Sequence, residues 1–346
     1  MKKSVLKRIL NILFLVVVFA LTVWSVFRGQ DLEQVLEHIT SANLMYVAPA
    51  IACVIGFILG ESVILYYLFR TLGTKVKMSH CCLYSFIGFF YSSITPSASG
   101  GQPMQVIAMR KDHIPVAVSS VVLVVVTIIY KLVLVLIGAG IMLLRPAKMM
   151  LYLEPVAPII YLGMALNVVC IAVLLMLLFM PNLIRWCALK LLKLLYRIRL
   201  VRNYEFQTQR IDRVVEQYKA AADFFRNHLL VMFNVFVITL VQRCVLFFIT
   251  WLTYRSFNLA GESMPVVVSL QAMISVAADM IPLPGGMGVS ENMFLEIFHP
   301  IFGADLVLPG MVISRGISYY TQLIISGVMT LVSFGVIREK KEKGTQ

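Results

Sequence analysis

Long apolar runs recur along the whole chain, and they constrain its fold more than any other feature. About twenty consecutive apolar residues are enough to cross the hydrocarbon core of a bilayer. Six runs reach that length, and they lie at about residues 9–27, 44–69, 116–143, 156–180, 229–254 and 307–336. The chain is 60% apolar and only 14% charged, which excludes a soluble enzyme, a disordered chain and a secreted disulfide scaffold. The sequence therefore predicts an all-α polytopic membrane protein.

The first run follows four basic residues, as it would in a signal peptide. It is long, however, and no small-residue cleavage site comes after it, so we interpret it as a retained span. We treat residues 1–346 as a single membrane domain with one long polar insert at about residues 182–228. The six cysteines show no zinc-type spacing with the five histidines, and there is no Walker A motif. We therefore expect neither a metal nor another cofactor.

Two further apolar stretches, at about residues 80–109 and 264–298, are interrupted by glycine and proline. The first contains TPSASGGQP at residues 95–103, and the second contains PLPGGMG at residues 282–288. Such breaks free backbone groups that lipid does not satisfy, so they survive at membrane depth only where protein or a wet cavity surrounds them. We interpret both stretches as re-entrant helical hairpins. In an alternative topology each broken stretch crosses the bilayer fully.

The net charge of +13 is explained by the orientation of these segments. With both chain termini in the cytoplasm and two re-entrant hairpins, 23 of the 30 basic residues fall on the cytoplasmic side and four fall outside. This bias agrees with the positive-inside rule. The first hairpin then enters from the cytoplasm and the second from outside. Two interrupted segments in opposed halves indicate an inverted repeat with a binding site between them.

The polar insert begins with a strongly basic stretch, which reads NLIRWCALKLLKLLYRIRLVRN at residues 182–203. Lys190, Lys193 and Arg197 share one helix face, while leucines line another. This pattern favours an amphipathic helix on an anionic cytoplasmic leaflet, to which Arg185 also contributes. The alternative is an ordinary positive-inside loop. Residues 204–226 mix both charges, which predicts a solvated helix, and no nucleic-acid partner is expected.

Six charged residues fall within or beside the apolar segments, where charges are costly and usually face a bundle interior or a cavity. They are the bases Lys131, Arg243 and Arg315 and the acids Glu61, Asp279 and Glu291, and a seventh charge, Glu296, lies beyond Glu291. One interpretation is that they neutralise one another as buried ion pairs. In the other, the bases bind an anionic lipid headgroup and the acids pair with a cation or carry protons.

Glycine-rich backbone at helix ends favours the second interpretation. Free N–H groups and the helix dipole attract negative charge, and glycine leaves the backbone uncovered. The residues that we expect around a headgroup are, besides the three bases, Gly100, Gly101, Gln102, Arg110, Gly285 and Gly286.

The segments around the two glycine motifs resemble those of a known family. They are ITPSASGGQPMQVIAMRKDHIP at residues 94–115 and IPLPGGMGVSENMFLEIF at residues 281–298, followed by Arg315 in VISRGISYY. They look like the signatures of the flippase-like membrane domain of lysylphosphatidylglycerol synthases. The resemblance covers nearly the whole chain, and the spacing from PGGMGVSE to Arg315 is its most specific part.

The resemblance implies a carrier that moves phospholipids, including aminoacylated phosphatidylglycerol, between the leaflets of the cell membrane. In the full synthases this lowers negative surface charge and resists cationic peptides. Those synthases continue into a soluble aminoacyl-tRNA-dependent transferase domain, whereas this sequence ends at REKKEKGTQ. We therefore expect no lysyltransferase activity and infer that a separate enzyme modifies the lipid. A non-transporting lipid-binding scaffold and an intramembrane enzyme are the alternative functions.

Overall fold

The computed structural model describes residues 32–197 and 204–336, which are built of helices and contain no strand. The predicted first span at residues 9–27 and both chain termini lie outside the described residues. Four described segments are long and apolar enough to cross a bilayer, and they are Leu44–Thr71, Val116–Leu144, Ala147–Phe179 and Leu229–Ser256. The prediction of an all-α polytopic membrane protein is confirmed for the described part of the chain.

The short helix α1 (Leu32–Ser41) precedes a first unit of four helices. They are α2 (Val47–Thr71), α3 (Met78–Ser93), α4 (Gly101–Lys111) and α5 (Val116–Leu144). Helices α3 and α4 pack together as a first hairpin, joined by residues 94–100, which we call the first tip. At the open end of the hairpin, His80 Nδ1 lies 2.6 Å from Asp112 Oδ2. Both arms therefore end on the same side of the bundle, and the first broken stretch is re-entrant.

Four helices then connect the first unit to the second. They are α6 (Ala147–Leu153), α7 (Ala157–Phe179), α8 (Pro181–Arg197) and α9 (Tyr204–Asn227). Helix α9 folds back along α8 and packs against it. Between the two helices, Arg185 Nε donates to Asp212 Oδ1 at 2.7 Å. This ion pair lowers the pKa of Asp212 below its ordinary value, since the hydrogen bond from Arg185 favours the carboxylate.

Helix α9 is not the fully solvated helix that its mixed charges predicted. Ala221, Ala222 and Phe225 on one face are buried, and they belong to the same apolar core as Val121 of α5. The charged residues of α9 therefore mark only its outer face. On α8, Trp186 and Leu191 are exposed, whereas the side chain of Arg197 lies outside the described residues.

The second unit repeats the order of the first. Its helices are α10 (Leu229–Ser256), α11 (Met264–Ala278), α12 (Val289–Phe302), α13 (Ala304–Arg315) and α14 (Gln322–Val336). Helices α11 and α12 form a second hairpin around residues 279–288, which we call the second tip. Phe302 and the backbone N–H of Glu262, at the two ends of this hairpin, both contact Tyr254 of α10. The second broken stretch is therefore also re-entrant.

The sixth predicted span, at residues 307–336, is longer and less regular than its sequence indicated. Its helix begins at Ala304, and a π-helical turn at Gly316–Thr321 separates α13 from α14. Because the helix starts earlier, Arg315 lies at the end of α13 and not near the start of the span. Its guanidinium donates to the carbonyl oxygen of Gly285, so Arg315 lies beside the second tip.

The two units run in opposite directions. The backbone N–H of Asn43, before α2, donates to Ser256 O at the end of α10, and Asn234 near the start of α10 donates to Tyr67 near the end of α2. Helices α2 and α10 are therefore antiparallel. The first hairpin opens where α2 ends and the second opens where α10 ends, so the hairpins enter the bundle from opposite ends. This is the arrangement of an inverted repeat.

Candidate functional site

A cavity of about 370 Å³ lies where the two tips contact each other inside the bundle. Both tips line it, together with α2, α5 and α10. Its volume falls within the range of small-molecule sites. Eight of the residues expected at the site line this cavity, and they are Glu61, Gln102, Lys131, Arg243, Asp279, Gly285, Gly286 and Arg315.

Four of the expected residues do not line the cavity. Gly100 and Gly101 shape the first tip, where a Cβ on Gly101 would lie only 2.1 Å from Ser92 Oγ, so glycine permits the close approach of the two arms. Glu291 lies behind Arg315 and is buried. Arg110 is exposed in the last turn of α4, at the open end of the first hairpin. The structure therefore does not bring Arg110 together with the other predicted bases.

Lys131 of α5 binds the second tip through a buried ion pair. Its Nζ lies 2.6 Å from Asp279 Oδ2, and the lysine is only 7% exposed. The hydroxyl of Tyr130 donates to the other carboxylate oxygen of Asp279. A buried charge is tolerated when it is paired and hydrogen-bonded, and this pair meets both conditions. For these two residues the ion-pair interpretation of the membrane charges is correct.

Asn167 of α7 also contacts Lys131, although we predicted no role for Asn167 from the sequence. Its amide nitrogen donates to the carbonyl oxygens of Gly163 and Val276, which leaves Oδ1 as an acceptor 3.3 Å from Lys131 Nζ. The side-chain amide is thereby held in one orientation. In the sequence, the only sign of this role was that Asn167 is a single amide in an otherwise apolar predicted span.

Arg315 holds the second tip from its other side. Its Nε donates to Glu291 Oε1 at 2.9 Å, and its Nη2 donates to the carbonyl oxygen of Gly285 at 2.9 Å. The second oxygen of Glu291 accepts the backbone N–H of Gly288 at 2.7 Å. Both charges are therefore used to fix the glycine-rich turn, although Arg315 still lines the cavity.

Arg243 of α10 differs from the other two bases because it forms no salt bridge with any described residue. Its guanidinium carbon lies 3.7 Å from the ring centre of Tyr130 and 4.8 Å from that of Phe57. Its Nε is one of three buried side-chain polar atoms without a hydrogen-bond partner in the described ranges. The aromatic faces stabilise the cation, but its N–H donors remain available to a ligand.

Glu61 of α2 is the corresponding carboxyl group without a salt bridge, although Arg243 attracts it electrostatically. It lines the same cavity, and its Oε1 accepts a hydrogen bond from Gln105 at 2.9 Å. It takes part in no salt bridge within the part of the chain that the structure describes. After the two internal ion pairs are formed, the cavity therefore retains one cation and one carboxylate.

The cavity is lined by polar side chains and aromatic rings. Among residues 32–197 and 204–336, no group of three or more His, Cys, Asp or Glu side chains is arranged to hold a metal ion. What the cavity offers instead is charged and neutral hydrogen-bonding groups, including Gln102 and Ser92, beside aromatic faces. Such groups can bind a polar ligand by hydrogen bonds and charge.

A comparison with protein families relates this geometry to known proteins. Residues 10–326 match the family described as the lysylphosphatidylglycerol synthase TM region. No curated protein matches the chain. The match includes both glycine motifs, the three membrane bases and the residues of the cavity between them. The chain belongs to the lysylphosphatidylglycerol synthase TM region family.

Proposed function

We propose that this membrane protein is a flippase-like carrier that moves anionic or aminoacylated phosphatidylglycerol-type lipids between the leaflets. Arg243 carries the proposal, because it lines the cavity between the two tips without a carboxylate partner. An unpaired cation at membrane depth is unfavourable, and a phosphate would both neutralise it and accept its N–H donors. Lys131 and Arg315 are already paired with carboxylates, so they shape the site.

The opposed hairpins support movement as well as binding. Each hairpin reaches the cavity from a different end of the bundle, so a shift of either tip would open the cavity toward one side. Carriers with inverted repeats expose a central site alternately in this manner. Glu61, Asp279 and Glu291 are our candidates for proton coupling, and a lipid gradient is the alternative source of energy.

We place the carrier in the cell membrane with both termini in the cytoplasm. Lys190 and Lys193 of α8 would then face the anionic leaflet. Arg185 contributes less, because its guanidinium is engaged by Asp212. A separate lipid-modifying enzyme would supply aminoacylated lipid to the carrier.

Reconstituted vesicles test the proposal directly. We expect the protein to move labelled phosphatidylglycerol and lysylphosphatidylglycerol between leaflets faster than empty vesicles do. Arg243→Gln should reduce this movement at least about tenfold, since a charge-assisted contact to phosphate is lost. Arg255→Gln is the matched control, because Arg255 lies on the same helix and does not line the cavity. Equal rates with and without protein would refute the proposal, and binding without movement would support the scaffold alternative.

A further inference from the structure

We infer that the cavity selects a headgroup that carries one phosphate and one ammonium, with the phosphate on Arg243 and the ammonium on Glu61. This assignment deepens the proposed function and rests on it for the claim that the ligand is a lipid that moves. The shared chemistry is that of a dipolar phosphate-amine group, as in a phosphatidylethanolamine headgroup.

The charges around the cavity lead to this assignment. Lys131 and Asp279 neutralise each other, and so do Arg315 and Glu291. Neither pair needs a ligand, because each acid also accepts a second hydrogen bond from Tyr130 or from the backbone of Gly288. The two charges that remain are Arg243 and Glu61, one of each sign.

Their positions fit a ligand that bridges them. Glu61 lies four residues after Phe57 on α2, and therefore one helical turn along the same face. The guanidinium of Arg243 lies over the ring of Phe57, yet no ion pair forms between Arg243 and Glu61. Both groups line the same cavity, and Arg243 attracts Glu61 electrostatically without forming an ion pair, so a phosphate on Arg243 and an ammonium on Glu61 a few bonds apart can satisfy both at once.

Charge balance discriminates among headgroups. A phosphatidylglycerol headgroup has a phosphate and no ammonium, so it would leave the Glu61 carboxylate uncompensated. A lysyl ester has two ammonium groups, of which one would find no acid among the described residues of the cavity. An ethanolamine or alanyl headgroup supplies one charge of each sign and leaves the site neutral. Buried charges that remain unpaired weaken binding, so the neutral combination should bind most tightly.

Ligand-induced heat stabilisation measures this preference without requiring transport. A lipid that binds the folded protein raises its unfolding temperature according to its affinity. We expect detergent-solubilised wild-type protein to bind phosphatidylethanolamine and alanyl-phosphatidylglycerol about tenfold more tightly than phosphatidylglycerol, since one charge-assisted contact is added. Soluble glycerophosphoethanolamine forms a separate arm that distinguishes a free phosphate-amine from a lipid. A shift with the soluble compound equal to that with the lipid would assign the site to a free solute.

The variant Glu61→Gln tests the ammonium contact. It keeps the size of the side chain and an oxygen that can accept from Gln105, but it removes the charge. We expect the preference for amine lipids to be lost, while the affinity for phosphatidylglycerol is unchanged or increased. Glu296→Gln is the matched control, because Glu296 is exposed on α12 and does not line the cavity. The control should keep the wild-type preference.

The outcomes separate this inference from the proposed carrier function. Tighter wild-type binding of phosphatidylglycerol than of every amine lipid would overturn the dipolar site, even if lipid movement is observed. An unchanged preference in a folded Glu61→Gln variant would overturn it as well. Selective binding of amine lipids without transbilayer movement would keep the dipolar site and refute the carrier function. The wild-type lipid series decides the question if Glu61→Gln does not fold.

Discussion

The two tips occupy equivalent places in the inverted repeat, but different chemistry holds them. The second tip is fixed by charges, because Asp279 binds Lys131 on one side and Arg315 binds Glu291 and the Gly285 carbonyl on the other. Lys131 comes from a different unit of the repeat, so this tip is tied to the opposite half of the bundle.

The first tip is held by neutral hydrogen bonds alone among the described contacts. Thr95 Oγ1 donates to Tyr91 O at 2.7 Å and accepts the backbone N–H of Gly100 at 2.9 Å, while Gln102 donates to Thr127. Neutral hydrogen bonds contribute less than buried charged contacts, and they can exchange with water or a headgroup at lower cost. We therefore expect the first tip to move more readily than the second when the cavity opens.

The largest effect should follow from breaking the charged contact of the second tip. Lys131→Met leaves Asp279 buried without its cation, and such a loss destabilises a protein by about 3–5 kcal/mol. The double variant Lys131→Met with Asp279→Leu should recover much of this stability. Thermal unfolding in detergent measures both, with Lys75→Met as the control at an exposed lysine. Equal stability of the single and double variants would show that the ion pair between Lys131 and Asp279 does not stabilise this tip.

A smaller effect is expected from the glycine that forms the turn of the second tip. Gly285 has φ +59°, and a Cβ there would lie 2.1 Å from the ring of Tyr319. Gly285→Ala should cost about 1–3 kcal/mol for backbone strain and overpacking together. Gly303→Ala is the matched control, because Gly303 has φ +80° but no atom within 4 Å of the position that its Cβ would occupy. Equal losses of unfolding free energy would show that the contact with Tyr319 is unimportant.

The first tip should be less sensitive to a comparable change. Thr95→Val removes two neutral hydrogen bonds at nearly constant volume, and we expect a loss of about 1–2 kcal/mol. Thr71→Val, outside the hairpins, removes one hydrogen bond to Leu68 O and serves as the control. If Thr95→Val lowers the unfolding temperature as much as Lys131→Met does, the first tip is held as strongly as the second, and we would be wrong to expect it to move more readily.

The smallest effect concerns the loop that leads into the second hairpin. Burial opposes ionisation of Glu262, but hydrogen bonds from Lys148 and Tyr152 outweigh it, so the pKa of Glu262 lies below its ordinary value. The stabilisation is therefore complete above the ordinary glutamate pKa and is lost as the pH falls through the lowered one. We expect the unfolding temperature to fall slightly in this acidic range, and less so in Glu262→Gln. An identical pH dependence in that variant would remove Glu262 as its cause.

Part of the site could be predicted because it is built from residue types that are rare in apolar segments. Lys131, Arg243 and Arg315 stand out in apolar segments, and glycine with proline marks the two breaks. Asn167 and Tyr130 were missed, since a single amide or tyrosine is common in apolar helices and its partners are distant in sequence. Arg110 was included for its proximity along the chain, but helix α4 carries it away from the cavity to the open end of the hairpin.

The sequence by itself determined the membrane class, most helix positions and the places of the two backbone breaks, because hydrophobic length and backbone breaking are local properties. That both broken stretches are re-entrant was decided by tertiary contacts at the open end of each hairpin. Only the tertiary structure decided which charges are paired. Asp279 meets Lys131 across 148 residues and Glu291 meets Arg315 across 24, while Arg243 and Glu61 remain without ion-pair partners among the described residues. Pairing depends on the distance between side chains in the folded bundle, and that distance is set by how the opposed hairpins pack.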